Sequence, residues 1–204
     1  MTSQPRHVAC PGAAVPVRYR HTLRWIGREG FSLLELQLAL AVAGIITAMA
    51  VFSIQSAVPW ARGNAVMDQV MSAFRVARET AITQRRAIDV VFVPPGEIRL
   101  IRNEVTGQAT QIGRVVLEHG GQFMPGLPDT PDRFGANGAV DFGGANLVRF
   151  LEDGTFADAA GVPVNGTVYL GIPNQTLANR AITIAGGTGR PQGYAWSGTR
   201  WDEQ

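Results

Sequence analysis

The sequence predicts an α+β protein: one long N-terminal helix, membrane-spanning in its first half, packed on an antiparallel, sandwich-like β domain. Three observations predict it. Residues 31–58 carry one formal charge, Glu35. A helical apolar period then continues into a polar stretch. From Ile88 onward the pattern becomes short β-branched runs cut by turn residues.

Residues 1–30 hold Arg6, Arg18, Arg20, Arg24 and Arg28 against Glu29. A basic flank stays on the cytoplasmic side, which places the N-terminus inside and the chain beyond Trp60 outside. The whole chain has a formal charge of +2 from 18 Arg and 16 acids; without residues 1–30 it has 13 Arg against 15 acids. The basic isoelectric point therefore belongs largely to the leader. The one cysteine, Cys10, also lies there, so the remainder has neither a disulfide framework nor thiol chemistry.

As a helix, residues 31–58 would extend roughly 42 Å, beyond the roughly 30 Å of a hydrocarbon core. A carboxylate within such a segment costs several kcal/mol unless it finds a partner, so Glu35 is a candidate functional residue. A cut after Gly30 would supply that partner as a new ammonium group on Phe31. An ordinary signal peptide cut after Ala48-Met49-Ala50 is the competing reading. Against it stand the length of the run, Glu35, and the smooth passage into a second helical stretch.

That second stretch, residues 59–87, places Val66, Val70, Phe74, Ala77, Ala81 and Ile82 on one stripe. Pro59 is expected to bend or interrupt the helix, and Gly63 to soften it. The predicted strands are 88–93, 98–102, 111–117, 147–151, 167–172, 181–185 and 193–196, with a hairpin at Pro94-Pro95-Gly96. About 115 residues suffice for one core. Residues 124–146 are rich in Gly, Pro, Asn and Asp, the composition of a long functional loop. Asp129, Asp132 and Asp141 fit no EF-hand spacing, and no metal site is expected.

The junction Arg28-Glu29-Gly30-Phe31-Ser32-Leu33-Leu34-Glu35 resembles the type IV prepilin signature: glycine before the cut, phenylalanine after it, glutamate fifth. A narrower resemblance rests on Ala77-Arg78-Glu79-Thr80-Ala81-Ile82, Arg149-Phe150-Leu151-Glu152-Asp153-Gly154, Arg180-Ala181-Ile182-Thr183-Ile184 and Gly189-Arg190. In this order they are similar to the GspH/FimT family of minor pseudopilins and minor pilins. The resemblance implies a pilin-like fold, cleavage between Gly30 and Phe31, N-methylation of Phe31, and an assembly role for Glu35. It further implies a single-pass inner-membrane protein with a periplasmic domain, built into a periplasmic pseudopilus. The implied partners are other pseudopilins or minor pilins, a prepilin peptidase, an inner-membrane assembly platform and membrane lipid.

Catalysis finds little material here. His119 is the only histidine after residue 30, and Gly186-Gly187-Thr188-Gly189 lacks the spacing and lysine of a P-loop. No catalytic residue, cofactor or enzyme activity is expected. The alternative function is DNA binding during uptake, carried by Arg190, Arg200, Trp196 and Trp201 in a tail that interleaves arginine with aromatic residues. Related DNA-binding chains carry Gly-Arg-x-Arg, whereas this one reads Gly189-Arg190-Pro191-Gln192. Residues 88–204 also hold 8 Arg against 12 acids, the wrong balance for phosphate. DNA therefore ranks below protein partners.

Overall fold

The computed structural model describes residues 31–135, 138–143 and 146–204. Residues 1–30, expected as a leader and including Gly30 of the expected cleavage junction, lie outside the described residues. The chain divides into two units, 1–44 and 45–204.

In the first unit, Phe31 and Ser32 precede a helix, α1, Leu33–Gln84, whose first turn carries Glu35. The segment Leu33–Ala50 is long and apolar enough to cross a membrane, with mean hydropathy 1.9 and none of it buried.

In the second unit α1 runs unbroken through Pro59, so the expected interruption there does not occur. It ends at Gln84, short of Ala87. Arg85 takes a left-handed φ of 48°, and the Arg86 N–H donates to the Ala81 carbonyl at 3.2 Å. That pairing satisfies an otherwise orphaned carbonyl at the helix end.

The strands follow as β1 (Ile88–Val93), β2 (Glu97–Asn103), β3 (Ala109–Val116), β4 (Gln122–Phe123), β5 (Val140–Asp141) and β6 (Leu147–Phe150), then β7 (Phe156–Ala157), β8 (Gly166–Ile172), β9 (Gln175–Ala185), β10 (Arg190–Trp196) and β11 (Trp201–Glu203). They form two sheets, ordered β3-β2-β1-β6-β7 and β11-β10-β9-β8-β4, with β5 also on β8. All the described pairings are antiparallel.

Both sheets and α1 share one core. The helix contributes Val66, Met67, Val70, Ala73, Phe74, Ala77 and Ala81, and the sheets contribute Ile88, Val90, Phe150, Val168, Leu170, Ile182 and Ile184, among others. Alternation explains β1: Ile88, Val90 and Phe92 point inward. Phe74 is the hub, meeting Phe92, Phe150 and Phe156 edge-on at 6.1, 6.4 and 6.4 Å. Such pairs add about 0.5–1.5 kcal/mol each beyond burial. Ile82 departs from the expected stripe, being 42% exposed, whereas Ala81 beside it is fully buried.

Residues 124–146 are not a free loop. Phe142 is fully buried, and β5 pairs Val140 with Val168. The N-terminal part of the segment covers the other face of the second sheet, where Tyr169, Ala181, Tyr194 and Trp201 form a smaller cluster with Leu127 and Trp196.

Candidate functional site

At the N-terminal end, Ser32 opens the helix by accepting the Leu36 N–H on its carbonyl at 3.1 Å. Glu35 falls in the first turn, three residues after Ser32, the spacing of a capping box. A carboxylate there suits the positive helix end. Phe31 is 80% exposed. Its neighbours Leu33, Leu34, Leu36, Leu38 and Leu40 are exposed as well, an apolar surface that calls for lipid or other helices.

Near the start of the amphipathic half of α1, the chain is tied to the β domain by Arg180, which is fully buried. Its Nε donates to Asn64 Oδ1 at 2.9 Å and its Nη2 to the Trp60 carbonyl at 2.8 Å. Nη1 donates to the carbonyls of Leu177 and Asn179 at 2.9 and 2.7 Å. The Trp60 ring lies against the guanidinium, 4.3 Å from its carbon to the ring centroid, a cation–π contact. Burial pushes the Arg180 pKa down to about 10, so the group is charged at neutral pH and depends on these acceptors.

Gly63 makes this approach possible. A Cβ there would lie 2.7 Å from the Ala178 carbonyl oxygen and 2.9 Å from Arg180 Cζ. Gly63 is thus a packing residue rather than a point of softness. Sequence reasoning missed Trp60, Gly63, Asn64 and Arg180 as a set. A usable signal existed: Gly63 extends the buried stripe of Val66, Met67 and Val70 back by one turn.

Three of the motifs that carry the family resemblance meet at one point. Arg78 Nε donates to the Gly154 carbonyl at 3.3 Å. Gly154, at φ 85°, lies under Ile82 and Arg78, and Gly189, at φ 60°, faces the Gly154 carbonyl and Phe150. A Cβ on Gly189 would come within 2.3 Å of that carbonyl oxygen. Residues separated by more than a hundred positions are thereby locked together. Nearby, Arg149 clasps Asp89 with Nε and Nη2 at 2.6 and 3.0 Å. Asp89 in turn raises the Arg149 pKa.

The tail residues have specific places. Trp201 is 8% exposed, and its Nε1 donates to the Pro128 carbonyl at 2.9 Å. Trp196 packs edge-on against it at 5.0 Å. Arg200 is exposed and pairs with Asp202 at 2.9 Å. Arg190 is exposed at the start of β10, about the length of that strand away in sequence. The structure therefore joins the two tryptophans to the 124–146 segment and does not gather all four residues on one open face.

The acids of that segment serve its own turns. Asp129 Oδ1 accepts from the N–H groups of Thr130 and Gly135 at 2.8 and 3.1 Å and from the Tyr169 hydroxyl at 3.4 Å. Burial first, and Asp129 second, push the Tyr169 phenol up to about 12. Asp132 accepts from Thr130 Oγ1 and the Phe134 N–H. Among the described residues, no three His, Cys, Asp or Glu side chains converge as a metal site.

No family model matches the chain, and no curated protein matches it. Among solved structures it is similar to the type IV minor pilin FimU of Pseudomonas aeruginosa, with 15% identity, 68% of this chain and 90% of that chain covered, and a TM-score of 0.43.

Proposed function

We propose that this chain is a minor pseudopilin, a structural subunit of a type II secretion pseudopilus, processed by a prepilin peptidase after Gly30. The observation that carries the reading is the junction itself. A basic leader ends in Gly30, Phe31 stands exposed just ahead of α1, and Glu35 occupies the first turn of a helix whose apolar segment Leu33–Ala50 is uncovered. Cleavage leaves an ammonium on Phe31, which is then methylated. In a low dielectric that ammonium and the Glu35 carboxylate of a neighbouring subunit attract strongly and set the register of the helices. The second unit supplies the surface that meets other subunits, and its role is structural rather than enzymatic.

Glu35→Val tests the reading. The substitution removes an apolar-phase charge and so eases membrane insertion. Cross-linking in membranes should show the variant inserted and cleaved, yet incorporated less beside other pseudopilins. Normal incorporation would remove the role given to Glu35.

A further inference from the structure

In the second unit, β9 and α1 run in the same direction. Gly63 and Asn64 lie beside Ala178 and Arg180, whereas Arg78 lies beside Gly189, just past the end of β9. The turn between β8 and β9, at Pro173 and Asn174, therefore lies on the side of Gly63 from which the apolar part of α1 comes. From Gln175 to Ala178 the strand covers about 10 Å, the rise of about seven helix residues. That sets the hairpin tip level with α1 near residue 57, where the apolar run 31–58 ends. Along α1 before that level, Ile45, Ile46 and Met49 are exposed, as is Val58 at it.

The chemistry of the tip matches its position. Residues 161–179 hold no Asp, Glu, Lys or Arg, and Pro173, Asn174 and Thr176 are exposed. At the opposite end, where α1 stops and Arg78 meets Gly154, charges are dense: Arg85, Arg86, Glu104, Glu152, Asp153 and Asp158. Beside the tip, the Arg180 guanidinium joins the Leu177 carbonyl to the Trp60 carbonyl and ring. Among the described residues, neither Arg180 nor the exposed Arg62 pairs with a carboxylate. Asp202, close to the neighbouring β10–β11 turn, is held by Arg200. This end of the unit is thus uncharged at its tip and positive beside it.

We propose that the β8–β9 tip, with Trp60 and Arg62 beside it, rests in the headgroup layer of the bilayer that α1 crosses, a claim that rests on reading residues 31–58 as a membrane span. Tryptophan favours that layer, and arginine can lay its stem on apolar surface while its guanidinium meets lipid phosphate. A hairpin tip without charges avoids the desolvation cost that an ionised side chain would incur there. Lipid is favoured over a protein partner because the tip lies level with exposed apolar helix, so one bilayer covers both. A protein partner would also find no charged group on the tip with which to pair.

The test uses the full chain with Cys10→Ser, reconstituted at one copy per phosphatidylcholine nanodisc whose headgroups carry a nitroxide quencher. A fluorophore is attached at Thr176→Cys or at Val162→Cys; Val162 is exposed at the far end, beside Asp158. The Thr176 label should be quenched at least about threefold more strongly than the Val162 label, since β9 alone spans about 33 Å. Equal quenching at the two positions, or none at Thr176, would overturn the proposal. So would quenching that vanishes in discs holding several copies, because the tip would then prefer protein to lipid. A label at Ala48→Cys with a nitroxide on the acyl chain reports separately on the span. Quenching at Ala48 without quenching at Thr176 sinks the headgroup contact alone, whereas no quenching at Ala48 sinks the membrane reading and the proposal with it.

Discussion

Gly63→Ala should destabilise the second unit although it improves helix propensity. In an ordinary helix interior this change stabilises by about 1 kcal/mol. Here the new Cβ falls 2.7 and 2.9 Å from the Ala178 carbonyl oxygen and Cα, and 2.9 Å from Arg180 Cζ. Two of those atoms are backbone of β9, which a rotamer change cannot move. Overpacking of this kind costs about 1–3 kcal/mol. Displacing the guanidinium weakens its bonds to Trp60 and Asn64, and losing one charge-assisted bond costs a further ~1.5–3 kcal/mol. After the propensity gain, a net loss of about 1.5–5 kcal/mol remains. For a domain of this size that lowers Tm by roughly 3–20 °C. Thermal unfolding of the detergent-solubilised chain, followed by circular dichroism, measures it. An unchanged or raised Tm would refute the close approach of β9 to the helix and the role assigned to Gly63.

Two further outcomes follow from the same packing. Asp89→Ala leaves Arg149 without its bidentate partner and should cost about 2–4 kcal/mol in urea unfolding, with Arg149→Met in the Asp89→Ala background recovering part of the loss. Tyr169 has a folded pKa of about 12 against 10.0 for the free phenol, so its contribution to stability is complete below pH 10 and disappears as pH rises through 12. Unfolding free energies across that range should fall less steeply for Tyr169→Phe; an identical slope would contradict the burial of its hydroxyl.

Much of the fold was legible because it repeats. The 3.6-residue period announces the helix through Val66, Val70, Phe74, Ala77 and Ala81, and alternation announces β1 and β2. Strands of two or three residues, such as Gln122–Phe123 and Phe156–Ala157, are too short to show any period. The first half of β9, Gln175 to Arg180, falls outside the predicted strand 181–185; it is a strand because it pairs with β8 and holds Arg180 against α1. A charged residue is ordinarily placed at the surface, so nothing local marks Arg180 as buried. The site divides likewise. The junction at Phe31 and Glu35 is a local motif, whereas the meeting of Arg78, Gly154 and Gly189 exists only once the chain has folded. The 124–146 segment looked like an open loop from composition alone, and only Phe142 and the Pro128–Trp201 contact reveal its seat.

The central claim is that the chain enters the membrane as a prepilin and is cut between Gly30 and Phe31. Intact-mass analysis of protein extracted from the inner membrane tests it most directly. The account predicts a mature chain beginning at Phe31 and carrying about one added methyl group, with Gly30→Val protein left at full length. A mature chain beginning at Val51, or a native chain that keeps its leader, would contradict it.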